Sequence, residues 1–370
     1  MAACPSIAWN SVDSMSSLDE ERLWVAYGNY LAGKVIFLAG LSLLCAGLLI
    51  MAVSLGPVRL PVPEVLRTLV GSASDERLRI IIFNIRLPQA LAALLAGAGL
   101  AAAGAAMQSI LRNPLGSPFT LGLSQAGAFG AAFAVMVLGS GFMQPGQTTV
   151  LTIVKPWLTT ASAFAGCMLI SLVIIAIAGR RGATPEVMVL SGVALGALCS
   201  AGTMFLQYFA DDVQLAAMLF WSFGDSGRAG WREVAIMAVM VAAALLFFAC
   251  NRWNYNAMAA GDETARSLGV RVERVRLLGM ITASAVTACI VSFLGIIGFV
   301  GLICPHVVRR LIGDDHRFVM PGAALVGAAL LLAADTAARQ LLAPHVLPVA
   351  ILTAFLGSPA FLSILISRQR

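Results

Sequence analysis

Apolar runs of roughly 20 residues recur along the chain, separated by short polar breaks, and a run of that length crosses a bilayer as a helix. Ten such spans are predicted, at residues 33–55, 88–111, 119–138, 151–178, 186–209, 230–250, 277–293, 299–312, 319–342 and 348–366. The eighth is short and contains Pro305. Several carry small residues four apart, as at Gly97, Ala101 and Ala105 and again at Gly192, Gly196 and Ser200. In lipid that spacing lets helix backbones approach closely. Gly295, Gly298 and Gly301 mark a sharp reversal. A short interfacial helix is predicted over residues 63–70, and Ser17 with Glu20 has the form of a capping box within a polar tail at 1–32.

Composition makes lipid the solvent. Of 370 residues, 59% are hydrophobic and 11% charged, and the mean hydropathy is +0.90. Soluble domains sit nearer a quarter charged. Strands of alternating polarity are absent, which argues against a β-barrel. The expectation is an all-α integral membrane protein of about ten transmembrane helices, with the membrane-spanning body at 33–370. Ten spans place both termini on one side. Most of the 24 basic residues then fall on that side, which makes it cytoplasmic. The net charge of +6 reports these loops rather than a nucleic-acid partner. The seven cysteines are scattered singly, most of them inside apolar spans, and read as small core residues. No basic n-region with a cleavage site precedes the first span, so that span is expected to remain as an anchor.

One polar break stands apart. Residues 251–276 hold eight charged residues, whereas 234–250 and 277–305 hold none. The segment must lie in water, and it has the makings of structure. Asn256 or Asp262 could cap a short helix, while Gly261 and Gly269 supply breaks. Ala259, Ala260, Ala265 and Leu268 offer small apolar surfaces. A solvated loop and a docking element for a separate motor protein are both compatible with this pattern.

Few residues suggest chemistry. There is no GxxxxGK[ST] loop and no HExxH, and the three histidines are far apart in sequence. Asp335 and Arg339 lie four apart on one helix face. They either neutralise each other near the outer interface or leave Arg339 to meet an acidic partner. Arg86, at the same surface, is an interfacial anchor or a second such contact. Asn113, Pro114 and Pro118 interrupt the chain at the inner end of the second span, as a tight turn or as broken backbone lining a path.

Five strings, in order, resemble the permease subunits of binding-protein-dependent ABC importers for ferric siderophores, haem and cobalamin. They are residues 86–122 (RLPQ through ILRNPLGSPFTLG), GDETARSLGV at 261–270, GFVGLICPHVVRRLIGDDHR at 298–317, ADTAAR at 334–339 and LPVAILTAFLGSPAFL at 347–362. The resemblance implies a multi-pass protein of the bacterial cytoplasmic (inner) membrane. It implies a second permease subunit, identical or paralogous, two cytoplasmic ATPase subunits and an extracytoplasmic substrate-binding protein. The chain itself would bind no cofactor, with ATP and magnesium used by the partner ATPase. Residues 251–270 match the family's two coupling helices, through Gly261, Asp262, Glu263, Ala265, Arg266, Leu268 and Gly269. Arg86 and Arg339 match the residues that dock the binding protein, and Asn113 and Leu115 match the cytoplasmic gate. Gln89 stands where the family often has a second arginine, and Val346, Ala350 and Asp225 are further departures. An iron chelate is the expected cargo. Cobalamin or an oxyanion such as molybdate on the same scaffold is the alternative, and an intramembrane enzyme the remote one.

Overall fold

The computed structural model describes residues 17–56, 60–71, 76–140, 155–180, 183–342 and 345–367. The beginning of the predicted tail (1–16), the start of the fourth span (151–154) and Arg181, Arg368 and Arg370 lie outside them. The described chain is helical throughout. Helix α1 is Ser17–Ser54, α2 Val62–Leu69 and α3 Glu76–Ile80, after which a π-helical stretch, Ile81–Arg86, leads into α4, Leu87–Ile110. Then come α5 (Leu123–Met136), α6 (Pro156–Arg180), α7 (Pro185–Phe209), α8 (Asp212–Ser222) and α9 (Trp231–Cys250). Two short helices follow, α10 (Arg252–Ala259) and α11 (Asp262–Ser267). The chain ends with α12 (Val272–Leu294), α13 (Val300–Ile312), α14 (His316–Leu341) and α15 (Val349–Ser367).

Among the described residues, seven helices are long and apolar enough to cross a membrane. The shorter α5, α13 and α15 occupy the places of the third, eighth and tenth predicted spans. Most predicted span limits fall within a few residues of the helices. The clearest difference is at the start. Helix α1 runs unbroken from Ser17 through 38 residues, about 57 Å at 1.5 Å per residue. Residues 17–32 are therefore helical and continuous with the first span, whose membrane-length apolar part begins at Tyr27. The predicted interfacial helix at 63–70 is α2. The apolar piece of the polar connection at 211–228 is α8, started by a capping box between Asp211 and Gln214.

Helix α4 is the central element: nearly every residue from Ala96 to Ile110 is buried. It is close-packed because its neighbours touch it backbone to backbone. A Cβ at Gly97 would lie 2.1 Å from the Gly327 carbonyl oxygen on α14, and one at Gly327 would lie 2.2 Å from that of Gly97. A Cβ at Gly104 would lie 1.8 Å from the Gly301 carbonyl oxygen on α13. Gly192 and Gly196 of α7 meet Leu121 and Gly122 in the same way. Lipid provides no hydrophobic drive between helices, so this close van der Waals contact is what holds them.

Gly327→Ala is expected to lower the detergent-solubilised protein's stability to heat, at a cost of about 1–3 kcal/mol for overpacking. Gly33→Ala, whose added methyl group would have nothing within 4 Å, is expected to leave it unchanged. A melting curve of each variant checks this.

Candidate coupling element, gate and outer residues

The charged segment is two short helices rather than a loop. Gly261 (φ +120°) separates α10 from α11 and Gly269 (φ +83°) ends α11, a backbone region that costs other residues dearly. Ala265, Tyr255 and Met258 face inward and are buried. Leu268 projects outward and is 68% exposed, and Trp253 on the preceding helix is also exposed, with the Arg317 guanidinium 5.0 Å over its ring. Glu263 is exposed, and Arg266 pairs with Glu273 at 3.5 Å across the surface. Neither proposed helix cap is used: the N-cap positions are Asn251 and Gly261, and neither makes a side-chain capping bond. Asn256 and Asp262 are inside their helices and reach elsewhere.

Asp262 reaches Arg276, which is 1% exposed. Its Nη2 donates to both carboxylate oxygens of Asp262, at 3.1 and 3.0 Å. The same guanidinium donates through Nε to the Ile110 carbonyl (3.0 Å) and through Nη1 to the Ala183 carbonyl (2.9 Å). One buried cation thus joins α11, the end of α4, the turn between α6 and α7, and its own helix α12. A buried charge is tolerated when it is paired and hydrogen-bonded in this way. Arg112, just past α4, adds a longer contact of 3.8 Å to Asp262.

Asn256 makes the second junction. Its Oδ1 accepts from the His316 backbone N–H and lies 2.8 Å from His316 Nδ1, and its Nδ2 donates to Asp315 at 3.0 Å. With Nδ1 donating, Nε2 is left to accept from the Ser109 hydroxyl, 2.6 Å away on α4. Arg309 of α13 donates to Ser109 Oγ at 3.3 Å. Burial pushes the Asp315 carboxyl up, but hydrogen bonds from the Arg317 N–H, Asn256 and the Arg317 guanidinium outweigh it and hold it below the usual carboxylate value.

The turn after α4 carries the two predicted gate residues. Arg112 has φ +48°. Asn113 Oδ1 accepts from the Leu115 N–H at 2.9 Å, and the Gly116 N–H returns to the Asn113 carbonyl. Leu115 is exposed and Asn113 half-buried. This is the tight turn read from the prolines, and it begins directly beyond the two residues held by Arg276 and His316.

At the other end of the molecule, Arg86 and Arg339 are not free at the surface, being 4% and 6% exposed. Both point at the end of α1. Arg86 donates to the carbonyls of Val53 (2.8 Å) and Ser54 (2.9 Å), and Arg339 to those of Leu55 (3.1 Å) and Ala52 (3.0 Å). Two guanidiniums thereby satisfy the orphan carbonyls of a helix C-terminus, where the helix dipole also favours cations. Arg339 pairs with Asp335 at 3.0 Å, the mutual neutralisation that the i, i+4 spacing allowed. Gln89, the departure from the family pattern, donates to Asp335 Oδ1 at 3.1 Å, and the Ser226 hydroxyl donates to the same oxygen. Asp225 accepts from the Gly227 N–H and shapes the turn that carries Ser226. The Ala350 N–H bonds the Gly224 carbonyl, and Val346 is exposed. Among the described residues no group of three or more His, Cys, Asp or Glu could hold a metal ion.

The model of the FecCD transport family matches residues 43–367. The chain belongs to the FecCD transport family. An ABC transporter permease protein of Methanocaldococcus jannaschii is 52% identical over 346 residues, covering 93% of this chain and 98% of that one. The hemin transport system permease of Yersinia pestis is 37% identical over 305 residues, covering 82% and 88%. Among solved structures, an inward-facing metal-chelate type ABC transporter superposes with a TM-score of 0.75 at 28% identity, over 90% of this chain and 99% of that one. This FecCD chain is therefore a multi-pass permease of a type II ABC importer and not an enzyme. ATP hydrolysis belongs to separate ATPase subunits. Permeases of such importers work with a second permease, an ATPase and a binding protein.

The sequence had pointed to Asp262 but not to its partner across the fold, and Asn256, Ser109 and His316 carried no signal that joined them. Asp262→Ala is expected to speed amide exchange across residues 262–268 about tenfold, since it leaves Arg276 without its carboxylate. Glu263→Ala is expected to change it little. Separately, Arg339→Ala is expected to cost about 3 kcal/mol, read as a lowered melting temperature, because Asp335 then stays buried without its cation.

Proposed function

We propose that this FecCD permease imports an iron chelate, a ferric siderophore or haem, across the cytoplasmic membrane, and that α10 and α11 are the seat of its ATPase. The observation that carries the coupling role is the pairing of two exposed apolar residues, Leu268 and Trp253, with a base hydrogen-bonded to α12 through Arg276 and to α14 through His316. A foot that is greasy outside and tied down inside suits a partner that pushes on it. Gly261, Asp262, Glu263, Ala265, Arg266, Leu268 and Gly269 would build that foot, and the turn bearing Asn113 and Leu115 would form the cytoplasmic gate. A binding protein would dock on the opposite rim around Arg86 and Arg339. Each arginine would have to exchange α1 carbonyls for a partner carboxylate, so docking there would loosen the end of α1. The iron-chelate reading is supported by the hemin permease and the metal-chelate transporter among the similar proteins.

Leu268→Asp is expected to abolish co-purification of the ATPase while leaving the permease's own melting temperature unchanged. Retained co-purification would remove the docking role. For the cargo, the complete transporter expressed in a strain lacking its own uptake systems is expected to restore growth on haem or a ferric siderophore as sole iron source. Rescue only of cobalamin-dependent growth would replace the iron reading.

A further inference from the structure

The inner end of α4 is held twice, at adjacent residues, by side chains that each hold one coupling helix. Ser109 Oγ lies 2.6 Å from His316 Nε2, and His316 Nδ1 lies 2.8 Å from Asn256 of α10. The Ile110 carbonyl accepts from Arg276 Nε at 3.0 Å, and Arg276 Nη2 holds Asp262 of α11 at 3.0–3.1 Å. His316 and Arg276 are both 1% exposed. These bonds sit in a low-dielectric interior, where breaking one leaves a buried polar group unpaired. Three residues beyond Ile110 the chain enters the Asn113 turn, which is pinned back to α4 by the Asn113 N–H to the Gln108 carbonyl (3.1 Å).

We propose that His316 and Arg276 are positioning residues that transmit movement of the two coupling helices to the inner end of α4, and hence to the Asn113–Leu115 turn. This rests on the reading of α10 and α11 as the ATPase seat. The physical reason is that each linkage is a run of short, buried side-chain hydrogen bonds from one helix to the next. A displacement of α10 or α11 therefore reaches Ser109 or Ile110 without passing through a loop. The other charged contacts of α11 are longer or more exposed: the 3.8 Å contact of Arg112 with Asp262 and the surface pair of Arg266 with Glu273. Two routes converging on neighbouring residues also make the end of α4 sensitive to the relative position of α10 and α11, and not only to their common shift. Helix α4 then carries the motion as a rigid body, since its glycine contacts with α13 and α14 leave no slack. Ser109, His316 and Arg276 are a route by which the ATPase's work reaches the gate, and they touch neither nucleotide nor cargo.

The test is hydrogen exchange in the membrane-embedded permease–ATPase complex, with and without ATP and vanadate. It compares the wild type with Ser109→Ala combined with His316→Gln, and with Arg276→Gln. In the wild type, nucleotide is expected to change exchange both at residues 251–270 and at 111–122. In the variants, the response at 251–270 is expected to persist, while that at 111–122 falls about fivefold or more, the lower end of usual coupling between sites. Ser109→Thr, which keeps the hydroxyl, is expected to restore the response, and it also serves where the larger changes prevent folding. A full response at 111–122 in both the combined Ser109→Ala, His316→Gln variant and Arg276→Gln would overturn the proposal. No response at 251–270 in the wild type would instead overturn the reading of the ATPase seat on which it depends.

Discussion

A single buried guanidinium decides whether the foot formed by α10 and α11 is part of the body or a loop hung from it. Arg276 gives its donors to a carboxylate on α11 and to two carbonyls at the ends of other membrane elements. Taken singly, each bond contributes modestly, because water would have served the same donors in the unfolded chain. Their joint effect is geometric. Around a planar, fixed fork of donors, three acceptors from distant parts of the sequence can occupy only one arrangement. The foot consequently inherits the rigidity of the helices to which it is tied.

Rigidity elsewhere has a different source. Helices α4 and α14 touch through Gly97 and Gly327 near their midpoints, are bridged at the outer end by Gln89 and Asp335, and at the inner end by Ser109 and His316. Three attachments along one pair make it a single body. The outer bridge continues through Arg339 to the end of α1. Alternating access in such a molecule is a matter of moving whole packed units, since closely fitted interfaces switch between arrangements and do not stretch. The same outer network explains why Arg86 and Arg339 serve the fold as it stands: they satisfy the carbonyls at the end of α1.

What the sequence disclosed follows from how local each signal was. Apolar runs broken by charge located the spans, because the cost of a charge in lipid acts residue by residue. Gly261 and Gly269 disclosed the two-helix foot, since positive φ is itself a local demand. The four-residue spacing of Asp335 and Arg339 disclosed their pairing. Hidden were the features made by distant partners. Asn256 and His316 are 60 residues apart, and Ser109 and His316 are 207 apart. Arg276 looked like one more solvated charge in a basic stretch, when it is the most enclosed of them. The inward aim of Arg86 was likewise invisible, because the π-helical stretch before α4 has no distinct pattern to announce it.

The central claim is that work done by a separate ATPase enters through the stiff element at residues 251–270. The most direct measurement is uptake of a radiolabelled ferric chelate by proteoliposomes holding the complete transporter, with that element replaced by a flexible glycine–serine linker of equal length. The account predicts that import is lost while the membrane helices remain folded. Import at the wild-type rate through the linker would contradict it.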